Sequence, residues 1–413
     1  MSESEPFLND SAELSDSCVY RKDAEVGWRR MAVDIGREVA KQLVGLKVLL
    51  VFAPLGFIAG LFRWNAVLVS AFNFIAIIPL SALISDASDT LANGWGSLLG
   101  GLINATFGNT VELIVGIMAL NQDEVGLAQS TMLGSILSDI LLVQGCCFIA
   151  GAHDTSVLSV NAAVVDALSS LMLVAAVALI LPTILYSTLP TEGEDINGKI
   201  LSFSRATAVV LLLIYLIFLY FQLWTHPHVF LDEKDDVDHG TYGDIIEEPM
   251  QQQVGEATGE ASESQEEDDR PPTSDVYSAI ATLIISAALI TKCTQYFIRS
   301  LDKTAQSLHI TKTFIAIFLI PLASNAPELS QVVAASKQQK INFAIGVIIS
   351  SILQIALLVL PLLVVIGWYM GRAMDLYFET SQTYILLLAV LSVNQVLQDG
   401  KYTYFHGIML LSM

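Results

Sequence analysis

The sequence is short of charge. Of its 413 residues only 15% are Asp, Glu, Lys or Arg, against roughly a quarter in an ordinary soluble domain, and this excludes a soluble enzyme or binding module. Four cysteines, Cys18, Cys146, Cys147 and Cys293, show no CxxC or other paired spacing. Three of them lie in or beside apolar runs, where Cys commonly acts as a small hydrophobe, so neither a disulfide framework nor a thiolate metal centre is expected. A basic-then-apolar leader is missing too: the N-terminus is acidic and polar, so no cleavable signal peptide is read and the first membrane helix must direct insertion.

Hydrophobic residues make up 54% of the chain. Apolar runs able to cross a bilayer core, which takes about 20 helical residues, recur after residue 47, and ten or eleven can be counted. They fall near 47–62, 66–84, 98–120, 127–151, 160–186 and 205–224, then near 276–298, 310–336, 341–369 and 381–396. The fold class is therefore an all-α polytopic membrane protein. It divides into an acidic disordered tail (1–27), a basic amphipathic helix (28–46), a first membrane half (47–225), an acidic loop (226–275) and a second membrane half (276–413). Most of the net charge of −21 sits in that loop, which leaves the membrane part closer to neutral. Basic residues flanking the first span argue for a cytosolic N-terminus and, by alternation, a cytosolic acidic loop.

Two polar motifs interrupt the apolar runs: "GNTVEL" at 108–113 and "SNAPEL" at 324–329. An ionisable group at membrane depth is costly and marks function, and Glu112 and Glu328 both lie within predicted spans. Asn109 precedes Glu112 by three residues and Asn325 precedes Glu328 by three, so each pair shares a helix face. Gly108, Pro321 and Pro327 loosen the helix there, and a broken helix offers carbonyl ligands. Downstream, "STMLGSILSDILL" carries Ser135, Ser138 and Asp139, and "GVIISSILQIALL" carries Ser351 and Gln354. Ser135 follows Glu112, and Ser351 follows Glu328, by the same 23 residues, with Ser138 matching Gln354. The chain thus repeats one helix-pair plan. Five spans separate the two starting helices, an odd number, so the copies are inverted, as in secondary transporters with a midplane site.

Carboxylate, amide and hydroxyl oxygens without clustered His or Cys suit a hard cation, and calcium suits best. The metal-ligating candidates are Glu112, Glu328, Asn109, Asn325, Ser135, Ser138, Asp139, Ser351 and Gln354. Emptied of their ion, facing carboxylates in low dielectric would favour a proton on at least one of them, so ion and proton would compete. The plainer alternative is that Asn, Ser and Gln only knit helices together by hydrogen bonds.

With these residues in view, the sequence resembles the cation/proton exchanger (CAX) branch of the calcium/cation antiporter superfamily, particularly the fungal vacuolar calcium/proton exchangers. The carrying stretches are "LGGLINATFGNTVELIVGIMAL", "STMLGSILSDILLVQG", "FLYFQLWTHPHVF" and "AIGVIISSILQIALLVLP". The resemblance implies eleven membrane helices in two inverted halves. It also implies import of cytosolic calcium into the vacuole against protons, with Glu112 and Glu328 alternately ion-bound and protonated. Calcium, protons and membrane lipid are the partners implied, with no cofactor, no nucleic acid and no enzymatic activity; manganese transport and a homo-oligomer are further readings. Departures stand out: Ser324, Pro327 and Leu329 replace the Gly, Ala and His of the family's second motif, and Asp139 stands where Asn is usual. Losing that His bears on proton coupling more than on cation binding. The last run, "YFHGIMLLSM", is about half the length of a span. The rival functions are a sodium-driven or calcium/manganese exchanger and a non-transporting cation sensor. An intramembrane protease using Asp139 lacks a second suitable aspartate.

Overall fold

The computed structural model describes residues 47–94, 100, 102–103, 106–152, 157–160, 162–187, 196–225, 273–398 and 400–413. The acidic tail (1–27), the basic helix (28–46) and nearly all of the acidic loop (226–275) lie outside the described residues. What is described is mostly helical, with turns and loops between the helices and one pair of two-residue strands. The helices are α1 (Phe52–Leu61), α2 (Ala66–Gly94), α3 (Thr110–Asn121), α4 (Val125–Gly151), α5 (Ala162–Ser187) and α6 (Ile196–Tyr220) in the first half. In the second half come α7 (Thr273–Leu308), α8 (Lys312–Ser324), α9 (Ala326–Lys337), α10 (Ile341–Tyr369), α11 (Thr380–Leu397) and α12 (Tyr404–Ser412).

Among the described residues seven helices are long and apolar enough to cross a membrane, or eight if α8 and α9, bent by 54° at their junction, count as one broken span. Two expected spans differ. The run at 47–62 forms a turn at Lys47–Leu50 and then the ten-residue α1; Pro54 has no N–H to offer the Leu50 carbonyl, which interrupts the ladder there. The run at 98–120 yields a continuous helix only from Thr110, after a turn at Gly108 and Asn109.

The repeat is visible in the backbone at a constant offset of 216 residues, 112 to 328 for the two glutamates. Both polar hairpin turns close on a residue with left-handed φ, Asp123 at 66° and Gln339 at 62°. Both inner helices widen into a π turn at matching places, Ser138–Val143 in α4 and Ile355–Val359 in α10. The long helices α2 and α7 pack on one another, joined by Ser70 Oγ to Ser300 Oγ at 2.7 Å and to Thr304 Oγ1 at 2.9 Å. Hydroxyl bonds of this kind replace the hydrophobic drive that lipid does not supply between helices.

Contacts sort the helix ends onto two faces. On one, the α3–α4 turn meets the start of α8 through Lys312 Nζ to Glu124 Oε1 at 3.0 Å, and the end of α10 through Arg372 Nη1 to Asp123 Oδ1 at 2.7 Å. On the other, Gln339 Nε2 donates to the Gly151 carbonyl at 3.2 Å, and β1 (Leu158–Ser159) pairs antiparallel with β2 (Lys401–Tyr402). The helices that alternate between these faces include α4 and α10, the most enclosed spans at 72% and 78% buried, whereas α6 is 22% buried. The short α12 lies against the end of α4, where the Gly407 backbone approaches Gly145 so closely that a Cβ on Gly407 would fall 2.6 Å from the Gly145 carbonyl. The core of the molecule is thus α4 and α10, with the two broken segments against them.

Candidate cation site

Each Asn of the repeated motif stands at a break. Asn109 (φ −105°, ψ 32°) precedes α3, and Asn325 (φ −84°, ψ 2°) joins α8 to α9. Glu112 and Glu328 consequently fall in the first turns of α3 and α9, where unpaired backbone N–H groups and the helix dipole favour negative charge. Two carboxylates are therefore brought into the membrane core on the positive ends of two short helices. Glu112 is 4% exposed; Glu328 keeps some accessible surface, while its Oε1 is enclosed and has no partner.

The inner helices supply the opposing wall. Asn325 Nδ2 donates to Asp139 Oδ1 at 2.6 Å and to the Ser135 carbonyl at 3.3 Å. Across the pseudo-twofold, Asn109 Nδ2 donates to Gln354 Oε1 at 2.8 Å. Each motif Asn thus crosses to the inner helix of the other half. Ser351 Oγ lies 3.0 Å from Glu328 Oε2, 3.1 Å from Asp139 Oδ2 and 3.4 Å from Asn109 Oδ1. A hydroxyl has one proton to donate, so it cannot satisfy both carboxyls at once. The second is matched only when it carries a proton of its own or when a cation lies between them.

Eight of the nine candidates are joined by these contacts or by direct electrostatic interaction: Asp139 lies close to both Glu328 and Glu112. The ninth, Ser138, has an enclosed Oγ with no partner, as does Ser135. The symmetry that pairs Ser138 with Gln354 is broken in the contacts, since Asn325 takes Asp139 rather than its neighbour. In the sequence Ser324 stands only as a replaced Gly. Its Oγ donates to Asn325 Oδ1 at 3.1 Å and lies within reach of the Glu112 carboxylate, so it ties the second motif to the first. Among the described residues no three His, Cys, Asp or Glu side chains close on a single metal position by themselves. An ion held here would draw on amide, hydroxyl and carbonyl oxygens as well, a donor set that fits a hard cation of flexible coordination.

Comparison with known proteins gives a consistent picture. The sequence model described as sodium/calcium exchanger protein matches residues 65–224 and 278–413. The vacuolar calcium ion transporter of Schizosaccharomyces pombe is 35% identical over 366 residues, covering 89% of this chain and 82% of the relative. Vacuolar cation/proton exchanger 5 of Arabidopsis thaliana is 33% identical over 370 residues, covering 89% and 78%. The solved structure of native YfkE matches with a TM-score of 0.70 at 22% identity, over 89% of this chain and 95% of that one, which is a likeness of fold.

Proposed function

The chain belongs to the sodium/calcium exchanger protein family, and from that premise we propose that it is a secondary active transporter exchanging calcium for protons. The observation that carries this reading is the meeting of Glu328, Asp139 and Asn109 at one hydroxyl, that of Ser351, between the two inverted halves. Glu112, Glu328 and Asp139 are the charged ligands, Asn109, Asn325, Ser135, Ser138, Ser351 and Gln354 the neutral ones. A divalent ion neutralises two of the carboxylates; protons do the same when it leaves. Because one set of oxygens serves both cargoes, neither can cross in the direction of its gradient without the site being surrendered to the other, which is the requirement for exchange. Alternating access follows from the inverted repeat, in which rocking one half against the other turns the same site toward the opposite face.

Proton exchange is favoured over sodium exchange because relatives named as a cation/proton exchanger and a Ca(2+)/H(+) antiporter match over 89% and 88% of this chain. The missing His beside Glu328 is offset by Asp139, a third titratable group in the cluster. We place the protein in the vacuolar membrane, with the N-terminus, the acidic loop and the Gln339 turn in the cytosol and the Asp123 turn in the lumen. The test is calcium uptake into vesicles holding the purified protein, first with an acid-inside pH gradient and then with a sodium gradient. Uptake should follow the pH gradient; uptake that follows sodium and ignores pH overturns the reading.

A further inference from the structure

Beyond the ligands themselves, α4 carries a row of polar groups that α10 does not. Thr131, Ser135 and Asp139 follow one another at intervals of four, which keeps them along one ridge of the helix. The π turn then makes Gln144 the next in that row, because its N–H bonds to the Asp139 carbonyl five residues back. Thr131 and Gln144 are each 1% exposed and Ser135 is 0%. At the same offset of 216, α10 presents Val347, Ser351, Ile355 and Leu360. Only Ser351 among these is polar.

The row is also unsatisfied. Thr131 Oγ1, Ser135 Oγ and Gln144 Nε2 are enclosed without a hydrogen-bond partner among the described residues, as is Ser138 Oγ beside them. Helical hydroxyls elsewhere in the chain bond to a carbonyl one turn earlier: Thr291 to Ala287 at 2.7 Å, Thr304 to Ser300 at 2.9 Å, Thr90 to Asp86 at 2.8 Å. That self-satisfaction is open to any helical Ser or Thr, and the α4 hydroxyls do not take it. Ser88, Thr282 and Thr294 are unpartnered too, but they are scattered over α2 and α7. On α4 the groups succeed one another over 13 residues, about 20 Å of helix, or roughly two thirds of a hydrocarbon core of about 30 Å.

An enclosed polar atom left unpaired is costly, and four on one helix mark a surface that meets a polar ligand. We propose that this face of α4 is the wall along which the cation moves between the site and the two membrane faces, still holding part of its hydration water. Thr131 serves the approach from the Asp123 turn and Gln144 the approach from the Gln339 turn. The Gln144 amide donates to a water of the ion's shell rather than to the ion, and the hydroxyls accept from or donate to the same waters. These two residues are positioning residues for transit, while Ser135 and Asp139 belong to the site itself. The asymmetry gives the exchanger one wet helix and one dry one: α10 closes the opposite wall with Val347, Ile355 and Leu360.

This inference rests on the exchange reading, and the experiment separates the two. Thr131→Val and Gln144→Leu preserve volume and remove the unpaired polar atoms; Thr131→Ser keeps the hydroxyl. Calcium uptake driven by a pH gradient and the thermal midpoint Tm are measured on the full-length protein in vesicles and in detergent. Uptake rates should fall at least tenfold in Thr131→Val and in Gln144→Leu, with Tm unchanged or raised, and Thr131→Ser should transport within twofold of wild type. Rates within twofold of wild type in both apolar variants overturn the transit row while leaving exchange intact. A lost rate accompanied by a lowered Tm overturns it as well, because the groups would then be structural. Failure of the wild-type protein to take up calcium under the pH gradient overturns both readings together.

Discussion

Replacing Ser351 with Ala removes a hydroxyl that touches carboxylates of both halves, Glu328 and Asp139. The hydroxyl stands 3.0 Å from Glu328 Oε2 and 3.1 Å from Asp139 Oδ2, and Glu328 Oε1 has no partner among the described residues. A hydrogen bond to a charged group contributes about 1.5–3 kcal/mol, and each 1.4 kcal/mol is a factor of about ten in affinity. Loss of the hydroxyl should therefore weaken calcium binding by roughly 10- to 150-fold, read as a rise in KM for calcium uptake. Ser351→Thr keeps the hydroxyl and should recover most of the affinity. The rise should be steepest at alkaline pH, where the cluster is held by cation alone, and smaller where protons take the hydroxyl's place. A Ser351→Ala protein with the KM of wild type, or one whose only defect is a lower Tm, would refute the placing of this hydroxyl in the site.

Two further outcomes follow from packing and loop chemistry. A Cβ on Gly134 would lie 2.5 Å from the Ile317 carbonyl and 2.7 Å from its Cα, so α4 and α8 touch backbone to backbone. Gly134→Ala should cost about 1–3 kcal/mol of stability and push Asn325 off Asp139, lowering both Tm and uptake; unchanged values of both contradict the close approach. In the turn after α10, burial holds the Asp375 carboxyl above its ordinary value, opposed in part by the Tyr377 N–H and the Gln129 amide. Its folded pKa exceeds its unfolded one, so its contribution to stability is complete at acid pH and declines as pH rises through the folded value. Asp375→Asn keeps the Oδ1 acceptor at 2.8 Å from Gln129 Nε2, and its Tm should match wild type at acid pH and exceed it at neutral pH. A difference between the two proteins that does not vary with pH goes against this.

Much of the fold was legible because membrane helices declare themselves by length and hydropathy. The runs at 341–369 and 381–396 are found as Ile341–Tyr369 and Thr380–Leu397. The break in the second motif was legible too, from Pro321 and Pro327 around Asn325. Periodicity could not show the π turn at Ile355–Val359, because one extra residue in a turn leaves no mark where every position is apolar; the turn at Ser138–Val143 leaves its trace only when Gln144 is set beside Asp139, five residues on rather than four. Those turns decide which polar groups meet. Matching by offset set Ser138 opposite Gln354, yet Asn325 reaches Asp139, one residue further on, whose carboxylate oxygens stand one bond further from the backbone than a serine hydroxyl. Ser324 looked like a lost glycine, and its hydroxyl instead bonds to Asn325. Gln144 drew no notice because a single amide in an apolar stretch has no sequence partner; only its enclosure without a hydrogen bond sets it apart.

The central claim is that one pair of inverted glutamates carries calcium and protons in turn. The most direct measurement is pH-gradient-driven calcium uptake by Glu112→Gln and Glu328→Gln in reconstituted vesicles, with the protons released per calcium recorded at the same time. Each substitution removes one charge and one titratable site while keeping an oxygen in place, so both proteins should fold and both should lose coupled uptake. Calcium uptake that continues in either variant with the wild-type proton count would contradict the account.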